Sequence, residues 1–216
     1  MVAPALFTFD IFGTVVDWRR GLRAALAGRG VGLTDEQFDR VIDAQAVEES
    51  GPFRTYAEIV AASLEAEVGL GRDDARRIGA EVGTWPLYPD SARGLARLQR
   101  SAPCVAITNS DRAHGEQVQA QLGFRLSGWI CAEDSRVYKP SAEFWRFVSE
   151  RRGVPFGPHW WHVSAYADYD LIPARELGLT CVYVERAHAR PGPADVTVRD
   201  LGGLARWIGT KEESSE

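Results

Sequence analysis

The feature that most constrains this chain is a series of short apolar runs, each stopping abruptly on polar residues. Ala5-Leu6-Phe7-Thr8-Phe9 stops on Asp10, Cys104-Val105-Ala106-Ile107 on Thr108-Asn109-Ser110, and Trp161-His162-Val163 on Ser164. Cys181-Val182-Tyr183-Val184 and the shorter Trp129-Ile130-Cys131 complete the series. Runs that are apolar almost throughout, rather than alternating, read as parallel strands buried on both faces. Helical patterns lie between them, over 92–101, 113–122, 142–152 and 170–177, with Gly123, Gly153 and Gly178 at the expected stops. Strand–helix alternation predicts an α/β fold, a Rossmann-like parallel sheet with right-handed crossovers. Chemistry in such sheets collects beyond the carboxyl ends of the strands. Asp10, Thr108-Asn109 and the Ser164-to-Asp170 loop should therefore share one crevice.

Residues 17–85 contain no comparable run. Helical patterns cover 19–27, 35–49, 55–68 and 73–82, and Thr34-Asp35-Glu36-Gln37 reads as a capping box, with Thr34 as cap and Gln37 reaching back. Pro52 and Gly69-Leu70-Gly71 punctuate the stretch. An all-helical cap subdomain over 17–85 is expected, inserted after the first strand. Pro86 and Pro89 mark the return to a core made of 1–16 and 86–216.

A length of 216 residues suits one compact core with an insertion. The formal net charge of -5 and the scattering of Lys and Arg disfavour a nucleic-acid partner. The first nine residues have no positive region and soon reach an acid, so neither a secretory signal nor a membrane span is read there. A cytoplasmic chain with no membrane partner is expected, and a homodimer is left open. Cys104, Cys131 and Cys181, in apolar surroundings, read as buried reduced thiols. His159 and His162 flank Trp160-Trp161, but on a strand they would face opposite ways with no acid or thiol to complete a metal set. The low-complexity tail, 211–216, is expected to fray.

Four segments then stand out in order: Phe9-Asp10-Ile11-Phe12-Gly13-Thr14-Val15, Val105-Ala106-Ile107-Thr108-Asn109, Tyr138-Lys139-Pro140, and His162-Val163-Ser164 through Asp170. Together they resemble the motifs of the haloacid-dehalogenase superfamily, and the helical insertion sits where that family places its cap. The resemblance implies a hydrolase with Asp10 as covalent nucleophile, Thr14 orienting it, Lys139 supplying positive charge and Asp170 as the fourth-motif carboxylate. Ile11, Phe12, Trp18, Thr108 and Asn109 would surround the substrate. The residue types suit these roles. A carboxylate becomes an effective nucleophile once oriented and partly desolvated. A lysine beside it keeps it ionised and offsets charge in the transition state. Thr108 and Asn109 carry donors for a substrate carboxylate or an oxyanion.

Departures from the pattern narrow the class. The superfamily's phosphatases carry a general-acid Asp two residues after the nucleophile; here that position is Phe12, which transfers no proton. Their fourth-motif Gly-Asp pair, whose Asp holds magnesium, falls on Ser164-Ala165, leaving Asp170 and an extra Asp168. The magnesium site is short of a ligand, so no cofactor is expected. Magnesium enters only in the alternative of a phosphatase with relocated ligands.

An aromatic residue at position 12 resembles instead the metal-independent 2-haloacid dehalogenases, whose halide leaves without a proton. That resemblance implies attack of Asp10 on C2 of a small carboxylic-acid substrate, most simply an L-2-haloacid. Water oriented by Asp170 would then hydrolyse the aspartyl ester. No arginine stands at Ala44-Gln45, where those enzymes receive the halide, and Trp145 replaces an aromatic hydroxyl. Phe12-Gly13-Thr14-Val15-Val16-Asp17-Trp18-Arg19, with Thr108-Asn109-Ser110-Asp111-Arg112, resembles a side branch that includes an azetidine-2-carboxylate ring-opening hydrolase. A non-catalytic binding protein on the same fold is the remaining alternative.

Overall fold

Strands β1 (Leu6–Phe9), β2 (Cys104–Thr108), β3 (Gly128–Cys131), β4 (Trp160–Ser164), β5 (Thr180–Val184) and β6 (Val196–Val198) form one sheet in a computed structural model that describes residues 1–187 and 189–213. Their order is β3-β2-β1-β4-β5-β6, and every neighbouring pair is parallel. The chain runs outward from β1 through β2 to β3, then crosses back to β4 on the other side of β1. The topological switch point therefore lies at β1, where Asp10 follows the last strand residue. Phe9 pairs with Ala106 on one side and Val163 on the other, which brings Asp10 level with the ends of β2 and β4. Every residue of β1, β2, β4 and β5 is buried, which is why these runs are apolar on both faces.

After β1 come helices α1 (Trp18–Ala27), α2 (Asp35–Glu49), α3 (Tyr56–Val68) and α4 (Arg72–Glu81), with no strand among the described residues between Asp17 and Trp85. The capping box of α2 is formed: Gln37 N donates to Thr34 Oγ1 at 3.1 Å, and Thr34 N to Gln37 Oε1 at 3.0 Å. A second box at Thr55 and Glu58 opens α3. At Gly79 a Cβ would lie 2.3 Å from the Ala57 carbonyl oxygen, so glycine is what lets α4 approach α3. The apolar cluster of these helices, including Trp18, Phe38, Tyr56 and Ile78, is continuous with Phe7 and Phe9 of the sheet. Asp111, after β2, accepts from Tyr56 N at 2.8 Å and Ala57 N at 2.9 Å. It thus satisfies the orphan donors of the first turn of α3 with a carboxylate.

The remaining helices are α5 (Ser91–Leu98), α6 (Arg112–Leu122), α7 (Ala132–Ser135), α8 (Ala142–Arg152), α9 (Ile172–Glu176) and α10 (Leu201–Glu213). They divide between the two faces of the sheet. Phe7, Phe9 and Ala106 pack with Leu95, Val118 and Leu204 on one side, while Leu6, Val105 and Ile107 pack with Phe144, Trp145 and Ala174 on the other. Alternate strand residues point to opposite faces, so one apolar run feeds both cores. The three cysteines are buried and unpaired. The tail expected to fray continues α10 as far as Glu213, and 214–216 lie outside the described residues. No described helix is long and apolar enough to cross a membrane.

Candidate active site

Asp10 leaves β1 into a tight loop. Thr14, Val15 and Val16 each donate a backbone N–H to the Ile11 carbonyl, at 3.3, 2.8 and 2.9 Å. Gly13 sits at φ +92°, and a Cβ there would meet the Tyr166 hydroxyl at 2.3 Å, so the loop requires glycine twice over. The turn carries Thr14 back over the nucleophile, where its Oγ1 donates to Asp10 Oδ2 at 2.7 Å and accepts from Ala165 N at 3.0 Å. Arg186 holds the loop from outside, donating through Nε to Thr14 O at 3.0 Å while its other nitrogens grip Asp90 at 2.8 and 2.9 Å.

Lys139 Nζ donates to Asp10 Oδ1 and to Asp170 Oδ2, each at 3.0 Å, with all three side chains buried. Asn109 fixes the lysine backbone: its Oδ1 accepts from Lys139 N at 2.7 Å and its Nδ2 donates to Lys139 O at 3.1 Å. Asp170 lies in a π-helical turn, Ala167–Leu171, and its Oδ1 stands 2.9 Å from His162 Nε2. His162 Nδ1 is 2.9 Å from Thr8 Oγ1, which accepts from Trp160 Nε1 at 2.7 Å. A wholly buried polar line thus runs beneath the sheet edge, from Trp160 to Asp10.

Burial pushes the Asp10 carboxyl above its ordinary range, against the pull of Lys139. Burial acts the same way on Asp170, but His162 and Lys139 beside it overcome that and hold the carboxyl well below the usual range. Burial lowers Lys139, yet its two carboxylate neighbours prevail and raise it. The cation is thereby kept charged and Asp170 kept ionised.

A cavity of about 420 Å³ opens above Asp10, lined among others by Phe12, Trp18, Thr108, Asn109 and Lys139. Not every residue expected around the substrate is on that wall. Ile11 does not line the cavity; its side chain is wholly buried in the apolar cluster. Asp170 is also absent from the wall: it is fully buried, with Oδ2 on Lys139 Nζ at 3.0 Å and Oδ1 2.9 Å from His162 Nε2. Both Nδ2 hydrogens of Asn109 are committed, one to Lys139 and one to Glu49 Oε2 at 2.7 Å, so it offers no spare donor to a substrate. Thr108 Oγ1 turns toward Ser110 Oγ at 3.2 Å. Trp18 serves both wall and core, its Nε1 donating to the Tyr56 hydroxyl at 3.1 Å and its ring packed on Phe38 and Trp85.

Glu49, at the end of α2, also lines the cavity and was missed by sequence reasoning, as were Tyr56, Tyr166, Tyr169 and Arg190. Burial pushes Glu49 up to about 7, only partly offset by the Asn109 bond. In sequence His162 has a place on a strand and at the head of the fourth segment but no chemical role. Its partnership with Thr8 follows from their direct pairing between β1 and β4, which no local pattern announces.

The residues present do not fit a magnesium ion. Lys139 already neutralises Asp10 and Asp170, and the second Asp170 oxygen faces His162 Nε2 at 2.9 Å. Asp168 turns away to pair with Arg190 at 3.1 Å. Among the described residues, no three His, Cys, Asp or Glu gather in a metal-holding group.

A family model described as haloacid dehalogenase-like hydrolase matches residues 4–159. The (S)-2-haloacid dehalogenase 4A of Burkholderia cepacia is 29% identical over 104 residues, a match spanning 46% of this chain and 43% of that protein, so less than half of the curated relative is matched. An L-2-haloacid dehalogenase structure superposes with a TM-score of 0.82 at 24% identity, over 96% of this chain and 100% of the other. The L-2-haloacid dehalogenase from Xanthobacter autotrophicus does so with a TM-score of 0.81 at 18% identity, over 95% and 98%. At these identities the superpositions speak for the fold.

Proposed function

The chain belongs to the haloacid dehalogenase-like hydrolases, and we propose that it displaces the C2 substituent of a small 2-substituted carboxylic acid through an ester on Asp10. One observation carries this reading. The carboxylate at the sheet's switch point is gripped on one oxygen by Thr14 at 2.7 Å and on the other by Lys139 at 3.0 Å, with its face open to the cavity. A nucleophile so held needs no reorganisation before attack.

In the first half of the reaction Asp10 attacks C2 and the substituent departs with its electron pair. Phe12, where a proton donor would serve a phosphate ester, only shapes the wall. In the second half water attacks the Asp10 ester carbonyl. Lys139 and Thr14, already at hydrogen-bond distance from the two oxygens, stabilise the charge that develops there. Asp170 and His162 stand behind, keeping Lys139 positioned and charged. The helical segment 17–85 acts as the cap that closes the cavity and limits water.

L-2-haloacids are the first substrates to assay, since that is what the related dehalogenases are named for. Turnover of (S)-2-chloropropionate, or of another small 2-substituted acid, should survive chelation. Magnesium-dependent hydrolysis of p-nitrophenyl phosphate, without turnover of any 2-substituted acid, would overturn the reading.

A further inference from the structure

Hydrolysis of an ester at neutral pH is hastened by a base that takes the proton of the attacking water. Asp170 is fully buried and lies off the cavity wall. Few groups on that wall can serve instead. Lys139 is held charged and has no free electron pair. Asp168 pairs with Arg190 at 3.1 Å. Burial raises the hydroxyls of Tyr56, Tyr166 and Tyr169, so they keep their protons. Glu49 differs from all of these. It ends α2, whose Ile42, Gln45 and Glu49 face the cavity at the spacing of one helical stripe. Its Oε2 accepts from Asn109 Nδ2 at 2.7 Å, and Oε1 has no partner among the described residues. The same Asn109 accepts from Lys139 N at 2.7 Å, and Lys139 Nζ reaches Asp10 Oδ1 at 3.0 Å. Glu49 is thus fixed, through Asn109, to the residue that grips the nucleophile, and both carboxyls line one cavity.

We propose that Glu49 is a catalytic residue, the base that takes a proton from water as that water attacks the Asp10 ester. The proposal rests on displacement at C2 by Asp10 and assigns the base of its second half. Burial disfavours the charged carboxylate, and so does its place at the C-terminal end of a helix. A carboxyl raised to about 7 accepts a proton more readily than an ordinary one, yet is still half ionised at neutrality. Asp10 and Lys139 face it from the core, and the hydroxyls of Tyr56, Tyr138 and Tyr169 are the other titratable groups within its field.

The step balances without a further reagent. The water oxygen bonds to the Asp10 carbonyl carbon as one of its protons passes to Glu49 Oε1. The bond from that carbon to the substrate oxygen then breaks, and its electron pair stays on the oxygen attached to C2. That oxygen takes the proton from Glu49 and departs as the hydroxyl of a 2-hydroxy acid. Asp10 gives the water's second proton to solvent, and both carboxylates are restored.

Displacement makes no use of Glu49, so its removal should separate the two halves of the reaction. With excess (S)-2-chloropropionate, Glu49→Gln should release about one chloride per active site in a burst, at close to the wild-type rate. Steady turnover after the burst should be about a hundredfold or more slower than in the wild type. The Asp10 peptide from a quenched sample should carry the substrate as an ester, and Glu49→Asp should accumulate less of it. A merely structural role would slow chloride release and ester hydrolysis alike. In the wild type, ester hydrolysis should quicken as pH rises through about 7, and Glu49→Gln should lack that limb. Should Glu49→Gln not fold, the wild type alone still decides: a quench at pH 5.5 should trap more ester than one at pH 8. No accumulated ester, equal slowing of both halves, or equal trapping at the two pH values would each overturn the proposal. Full turnover in Glu49→Gln, with oxygen-18 from water still entering Asp10, removes Glu49 alone and leaves the displacement standing. Oxygen-18 entering only the product, or no turnover of any 2-substituted acid by the wild type, removes both.

Discussion

Lys139 Nζ lies 3.0 Å from Asp10 Oδ1, although 129 residues separate the two in the chain. A buried ammonium is tolerated only when paired, and here one cation serves two carboxylates. Lys139→Met should therefore leave two buried acids facing each other. Turnover should fall by about a thousandfold or more, and unfolding free energy by about 3–5 kcal/mol. Adding Asp170→Asn should recover part of the stability and none of the activity, as read by urea unfolding and steady-state rates on the same preparations.

Thr14 makes the second contact to the nucleophile. Thr14→Ala should lower kcat by about ten- to a hundredfold with little change in KM, because the lost hydrogen bond orients a reacting group rather than the substrate. Thr14→Ser keeps the hydroxyl and should restore most of the rate. An equal defect in both variants would mean that the methyl group's packing matters and the hydroxyl does not.

Glu49 links stability to pH with a definite sign. Its folded pKa is raised from 4.5 to about 7, so the folded chain holds a proton that the unfolded chain has released across that interval. The stability it contributes is full below about 4.5 and is lost as pH rises through about 7. The effect should reach about 2 kcal/mol or less, since the side chain keeps some contact with cavity water. Subtracting the unfolding free energy of Glu49→Gln from that of the wild type cancels the slopes of other groups. The difference should fall between pH 5 and pH 7.5; a flat difference contradicts the raised pKa.

Much of this architecture was legible in the chain itself, for physical reasons that also explain what was not. Strands β1, β2, β4 and β5 are buried on both faces, so their residues carry an apolar signal almost throughout. Edge strand β6 is only Val196-Thr197-Val198, partly exposed, and too short to register. Helix α10 opens on Leu201-Gly202-Gly203, which reads as a loop. An α-helix was expected from residue 170, where the chain instead makes a π-helical turn that seats Asp170 against Lys139. Asp10, Thr14 and Lys139 stood out because motif order carries their chemistry. Glu49 and His162 did not, because each matters through a contact across the fold: Glu49 with Asn109, 60 residues on, and His162 with Thr8, 154 residues back.

The covalent step is the central claim, and the fate of solvent oxygen decides it. With enzyme in excess over (S)-2-chloropropionate or azetidine-2-carboxylate, a single turnover in oxygen-18 water is analysed by mass spectrometry of the Asp10 peptide and of the product. An aspartyl ester opened at its carbonyl places the label in Asp10 and leaves the first product unlabelled, and Asp10→Asn should turn over almost nothing. Label in the product with none in the Asp10 peptide, or full activity in Asp10→Asn, would remove Asp10 from the reaction as nucleophile.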